Sequence, residues 1–226
     1  MGATLMDSNP PDTIPYVHFD PGTSAEDAAR QFYEVAKLRR TVRMFSDSPV
    51  SRETIEYVVR SATTAPSGAN KQPWRFVCVS SAEMKKKIRI AVEEEERSFY
   101  AHRASERWLK DLKPYGTDPD KGFLEVAPWL VIVFKLSRGD DESQVYYANE
   151  SVGIAVGMLL TAAHRAGLAT VTHTPAPMNF LAKVLERPDH ERPYMLIPMG
   201  YPAADANVPS AAVKRKPLED VAIFME

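Results

Sequence analysis

The chain has 226 residues, enough for one core of ordinary size and short for two full domains. Hydrophobic residues at 44% and charged residues at 26% exclude wholesale disorder, and 28 Lys+Arg against 30 Asp+Glu, a net charge of -2, argue against a dedicated nucleic-acid binder. A single cysteine, Cys78, excludes an internal disulfide framework and a cysteine-based metal cage; in the apolar run 76–79 it is expected to fill core.

Residues 1–22 carry Pro10, Pro11, Pro15 and Pro21 and little periodicity, which predicts an extended N-terminal arm. Neither a basic segment nor a hydrophobic one opens the chain, so no signal peptide is expected, and no apolar run approaches the ~20 residues of a membrane span. These features predict a cytoplasmic protein that needs no membrane. Ser24 followed by Asp27 reads as a helix start, with Phe32 and Val35 on its apolar stripe. A short extended piece is expected over 41–45. Ser51 opens a second helix whose inner side is Ile55, Val58, Val59 and Ala62. A loop by composition spans 65–73, and a strand is predicted over 75–80.

Ser81 caps a third helix that runs at least to Arg97. Residues 100–122 are polar, aromatic and interrupted by Pro114, Gly116 and Pro119, the pattern of an insertion or mobile lid. The apolar run 129–136 predicts a central strand. A long helix rich in small residues is expected over 147–165, ended by Gly167 in the left-handed conformation. A short strand over 169–172, a helix over 179–185 and a buried strand over 194–199 follow, with Gly200-Tyr201-Pro202 turning the chain into a tail with few helix signals. The interspersed elements place the chain in the α+β or α/β class.

No GxGxxG, GxxxxGK[ST], HExxH or GxSxG pattern occurs, and the five histidines lack metal-ligand spacing, so no metal site is expected. Three motifs can carry chemistry. Arg39-Arg40-Thr41-Val42-Arg43 brings guanidiniums and a hydroxyl together as phosphate recognition requires, or simply supplies helix C-terminal charge. Ala65-Pro66-Ser67-Gly68-Ala69-Asn70 lets a flat ligand approach the backbone, or is a plain turn. Val171-Thr172-His173-Thr174-Pro175 sets hydroxyls at the end of a strand, for a ligand or for local turn geometry. The third helix also carries Lys85-Lys86-Lys87 near its start and Glu93-Glu94-Glu95-Glu96 towards its end, both against the macrodipole; the run is a functional feature or a solvated face.

In chain order these motifs, with Tyr100, Arg107-Trp108-Leu109-Lys110-Asp111-Leu112, Asn149-Glu150-Ser151-Val152 and Lys214-Arg215-Lys216-Pro217-Leu218, resemble the flavin-dependent nitroreductase superfamily and, within it, the iodotyrosine deiodinases. The acidic run, Tyr100 and the lid carry the more specific part of the resemblance. It implies an α+β nitroreductase-like fold with a central mixed sheet flanked by helices. It also implies one domain over 23–226, a lid over 100–122, and a domain-swapped homodimer formed through the long helix, with FMN at the interface.

By the same resemblance, Arg39, Arg40, Thr41 and Arg43 hold the FMN phosphate and pyrimidine edge, Ser67 contacts the flavin, and Arg215 adds charge near the phosphate. Thr172, His173 and Thr174 line the cofactor, with Thr174 as the catalytic contact to flavin N5 and Thr172 as the fallback if the register slips. The Ala69 N–H meets the substrate phenolate, and Glu96, Tyr100 and Lys121 take the amino-acid end; the place of Lys121 depends on an ungapped lid. His173 departs from the familiar animal pattern of three consecutive threonines, and Asn70 replaces a common histidine. The implied activity is reductive dehalogenation of halotyrosines, fed by a reductant or reductase, with NADP as the associated nucleotide. A general nitroreductase or quinone reductase, and a non-catalytic flavin-binding protein, are the competing readings.

Overall fold

The computed structural model describes residues 12–226, and the chain divides into two units, residues up to 37 and residues 38–226. In the first unit, residues 12–21 form neither helix nor strand; the start of the expected arm, residues 1–11, lies outside the described residues. Helix α1 (Ala25–Ala36) begins where Ser24 Oγ accepts from the Asp27 N–H at 3.1 Å, and none of its residues is buried.

The second unit is a three-layer arrangement. Strands β1 (Trp74–Val79), β2 (Trp129–Leu136), β3 (Ala169–Thr170) and β4 (Glu191–Gly200) form a sheet in the order β1-β2-β4-β3, every pair antiparallel. The parallel component is a single bridge, Thr41 with Thr170, where the Val42 N–H donates to the Thr170 carbonyl at 3.2 Å. Alternation along a strand sends successive side chains to opposite faces, and β2 is buried on both. Val131 and Val133, with Ile197 and Met199 of β4, meet Ile55, Val58 and Ala62 of α2 (Arg52–Thr63) and Val152, Ala155 and Leu159 of α6 (Ala148–Arg165). Leu130, Ile132 and Phe134 face the other way. They meet Ile88 and Val92 of α3 (Ala82–Ser98), Leu124 of α5 (Phe123–Val126) and Leu181 of α7 (Asn179–Val184). That doubly buried strand is why the run 129–136 shows no polar alternation.

Ser51 and Ser81 cap α2 and α3 through the Thr54 and Met84 N–H groups, as their sequence positions predict. Two expectations change. Cys78 is exposed: β1 is the edge strand, and the residue opens onto a cavity shared with Ile55 and Val59 of α2 instead of filling core. Lys85 is only 7% exposed, so the basic run is not a uniform solvated patch. Its ammonium donates to the carbonyls of Glu125 and Ala127 at 2.8 and 2.7 Å, satisfying the otherwise unpaired end of α5. Burial lowers the Lys85 pKa, with the nearby Glu125 charge acting the other way.

At the other end of the strands, where β2 finishes, Glu191 at the start of β4 is held by two arginines. Arg187 donates to it twice, at 2.7 and 2.9 Å, and Arg75 of β1 once, at 3.0 Å. The Arg187 hydrogen bonds, reinforced by Arg75, hold the carboxyl below its usual range against the opposing effect of burial.

Candidate active site

After α3 the chain makes one wide π turn, Phe99–Arg103, and then α4 (Glu106–Leu112), whose N-terminus is capped by Ser105. With residues 113–122 these pieces span the segment 100–122 that the sequence reads as an insertion or lid. They close one side of a cavity of about 170 Å³ whose other side is the segment following β3. Arg43, Glu96, Tyr100, Lys121, Thr172, His173 and Thr174 all line it, so seven of the residues singled out from the sequence converge on one volume. Phe99, Trp108 and Leu112 supply apolar wall, with the Phe99 and Trp108 rings edge to face at 4.9 Å.

The acidic run of α3 resolves into four different roles. Glu93 accepts from Arg89 Nε at 2.7 Å and from the backbone N–H of Lys121 at 2.8 Å. Glu94 is exposed, and Glu95 pairs with Arg103. Glu96, only 9% exposed, points into the cavity, where one oxygen lies 3.1 Å from the Lys121 ammonium and the other 3.6 Å from His173 Nε2. Helical spacing puts Glu93 and Glu96 on one face. The first positions the backbone of Lys121 and the second meets its side chain. The sequence marks the run as a whole and gives Glu93 no role of its own, although its three-residue spacing from Glu96 is the signal that separates the two from their neighbours.

Lys121 is 5% exposed, also donates to the Asp118 carbonyl, and stands 5.9 Å from the centre of the Tyr100 ring. Tyr100 donates its hydroxyl to Thr117 Oγ1 at 3.0 Å. Burial raises the Tyr100 pKa, with the Thr117 hydrogen bond opposing, so the group is a phenol and a donor. Thr117 is a second residue the sequence did not reveal. Arg43 reaches the cavity from the extended segment that bridges to the sheet; burial lowers its pKa, countered by Tyr100 and Asp118, and it remains a cation.

The Thr172–Thr174 segment is anchored by a pair of backbone hydrogen bonds, His173 N–H to the Leu196 carbonyl and Leu196 N–H to the His173 carbonyl, both 2.9 Å. Thr172 and Thr174 are exposed and His173 faces inward, as alternation in an extended segment requires. The two hydroxyls are therefore presented at the mouth of the cavity on a rigid element.

A second group lies outside this cavity. Arg39 is half-buried, and its pKa is lowered first by burial and then by the charges of Arg215 and Arg40. Three guanidiniums from the start and the tail of the unit thus sit within electrostatic reach of one another, beside Thr41. Guanidiniums gathered in this way are chemistry suited to an anion. Ser67 and Ala69 do not line the Glu96 cavity. Their loop takes positive φ at Ala69, Asn70 and Gln72, and a Cβ on Gly68 would lie 2.9 Å from the Tyr147 ring and 3.0 Å from the Tyr146 carbonyl. Ser67 Oγ accepts from the Gln72 N–H at 2.9 Å, which keeps the loop closed. No group of His, Cys, Asp and Glu able to hold a metal occurs among the described residues.

The nitroreductase family profile matches residues 36–201. The chain is 50% identical over 213 residues to the iodotyrosine deiodinase of Haliscomenobacter hydrossis, covering 91% of this chain and 95% of that one. It is 43% identical over 216 residues to iodotyrosine deiodinase 1 of Homo sapiens, covering 93% and 74% respectively. Among solved structures it matches an oxidised iodotyrosine deiodinase bound to FMN and 3-iodo-L-tyrosine with a TM-score of 0.73 at 32% identity, over 86% of this chain and 98% of that one.

Proposed function

Because the chain belongs to the nitroreductase family, on its iodotyrosine deiodinase branch, we propose that it is an FMN-dependent enzyme that removes halide from halogenated tyrosines. The observation that carries this reading is the pairing of Glu96 and Lys121 in the same cavity as Thr172 and Thr174. One carboxylate and one ammonium, both nearly buried, are complementary to the two charges of an amino-acid zwitterion. A general nitroreductase needs neither.

The residues fit the cofactor. The Arg39, Arg40 and Arg215 cluster suits a phosphate, and Thr41 and Arg43 continue it towards the cavity. FMN, when bound and reduced, supplies the two electrons that, with a proton, replace the carbon–halogen bond by a carbon–hydrogen bond and release halide. The chain's own groups bind and orient. A substrate ammonium displaces Lys121 from Glu96, and the freed Lys121, with the Tyr100 hydroxyl, takes the carboxylate. The Ala69 N–H meets the phenolate and Ser67 the flavin, while Thr174 presents its hydroxyl to flavin N5. Phe99, Trp108 and Leu112 exclude water. Ordering a lid costs about 1–2 kcal/mol per residue, and charge-assisted hydrogen bonds contribute about 1.5–3 kcal/mol each, so ring burial against the flavin must contribute as well. Ser67 and Ala69 reach this site in a domain-swapped homodimer with FMN at the interface. A cytoplasmic reductant or reductase, with NADP as the associated nucleotide, restores the reduced cofactor.

The test is anaerobic reduction of the purified yellow dimer, followed by iodotyrosine, a nitroaromatic or neither. Flavin reoxidation with stoichiometric iodide release on iodotyrosine is expected. Reoxidation by the nitroaromatic alone would make it a general reductase, and reoxidation by neither a binding protein.

A further inference from the structure

His173 stands among the cofactor-facing residues in sequence, yet its ring faces the other way. The backbone is fixed to Leu196 by two hydrogen bonds, so the ring has little freedom to turn out of the cavity. The side chain is 13% exposed, and Nε2 is wholly buried with no hydrogen-bond partner among the described residues. A buried ring nitrogen without a partner costs free energy, and such an atom in a folded protein calls for an explanation. The atom it faces is Glu96 Oε1, 3.6 Å away, while Oε2 of the same carboxylate is held by Lys121 at 3.1 Å.

We propose that His173 is a positioning residue for Glu96: its neutral imidazole donates Nε2–H to Oε1, fixing the carboxylate plane while Oε2 exchanges between Lys121 and a ligand's ammonium. The chemistry leaves little choice of tautomer. An unprotonated Nε2 would set a lone pair against a carboxylate oxygen, whereas Nε2–H supplies the donor that Oε1 lacks. The imidazolium is disfavoured by burial first and then by Lys121 and Arg43, which brings the pKa down to about 3. A neutral donor also holds Glu96 without cancelling its charge, so the ammonium meets a full carboxylate. A cation in the same place would compete with the ligand.

The ligand side of this inference rests on the halotyrosine reading; the hydrogen bond does not, and two measurements separate them. Long-range nitrogen–proton correlations on the FMN-loaded protein at pH 7 should show His173 as the neutral Nε2–H tautomer. The Nδ1–H tautomer, or an imidazolium, overturns the proposal whatever the protein binds. Affinities for iodotyrosine and for 2-iodophenol, followed by quenching of flavin fluorescence, give the second readout. His173→Leu removes the donor, and the iodotyrosine-to-iodophenol affinity ratio should fall about tenfold. His173→Gln, whose amide reaches the position of Nε2, should restore the ratio to within about threefold. A ratio unchanged in His173→Leu, or lowered equally in both variants, overturns the positioning role. A parent protein that binds neither ligand defeats the halotyrosine reading, and the tautomer still decides the His173–Glu96 bond.

Discussion

Glu191 and Glu96 are both nearly buried carboxylates beside basic side chains, and they are built to opposite ends. Glu191 receives three short hydrogen bonds from two arginines, and its own side chain is 1% exposed. Glu96 receives one ammonium, and an imidazole waits just beyond bonding distance. Guanidinium forks lock a carboxylate in a fixed geometry, while an ammonium on a flexible stem is a single exchangeable point charge. The saturated carboxylate ties β1 to β4, and the unsaturated one opens on a cavity. Incomplete satisfaction of a buried charge is thus the mark of the exchangeable site here.

The comparison fails if removing either carboxylate has the same consequence. The largest expected effect on stability is Glu191→Ala, which takes the shared anion from Arg75 and Arg187 while Arg75 keeps Asp140, and should cost about 1–3 kcal/mol in chemical denaturation. The ratio of iodotyrosine to iodophenol affinity in the surviving folded protein should stay at the parent value. Glu96→Gln should differ in the ratio. Loss of one partner of a desolvated charge pair costs roughly 2–5 kcal/mol, so iodotyrosine affinity should fall by at least about tenfold while iodophenol affinity holds, and the Lys121 ammonium, left buried without its anion, should lower stability as well. An unchanged affinity would leave Glu96 a structural partner of Lys121 and remove it from ligand binding.

Acidity sharpens the contrast through His173, which faces Glu96 of α3, Lys121 of the lid and Arg43 of the bridging segment. Its folded pKa, about 3, lies below the ordinary value of 6.5, so the unfolded chain binds the extra proton first. Stability should therefore drop as pH falls below about 6.5. His173→Gln should lose up to about 2 kcal/mol less than the parent between pH 7 and 5 in paired denaturation curves. Glu191 has the same sign in a lower window: its folded pKa is also depressed, so its contribution is intact above the usual carboxylate range and is lost as pH falls through and below it. The smallest effect is expected at Thr174→Ala. FMN content should be kept and halide release slowed by roughly tenfold, the worth of one hydrogen bond, with Thr174→Ser recovering most of it. An unaltered rate would turn attention to Thr172.

Local chemistry was readable in the chain and distant chemistry was not. Ser24, Ser51 and Ser81 announce three helix starts because a cap acts within three residues. The two-sided burial of 129–136 announces the central strand. The charge runs of α3 stay ambiguous in the sequence because their partners lie far off along the chain. Lys85 meets carbonyls 40 and 42 residues away, and the Glu93–Lys121 contact spans 28. No periodicity carries such information. Arg215 beside Arg39, and the convergence of Tyr100 with Thr172–Thr174, were reachable only through family resemblance, since they depend on how the tail and the lid return to the sheet. Cys78 was misplaced because an apolar run does not say which strand lies at the edge.

The attachment of α3 to α5 has a consequence for how this lid can evolve. Lys85 ties the first turn of α3 to the end of α5, and Glu93 holds the Lys121 backbone just before α5 begins. The Lys121 carbonyl in turn accepts the Leu124 N–H that starts α5. The ammonium is thus surveyed from the helix beside it, and the count of residues that lead to it is immaterial. Insertions or deletions over 106–116 can lengthen or shorten the flap without moving the lysine. The walls of the cavity can therefore change with the length of that segment while Glu96 and Lys121 stay paired.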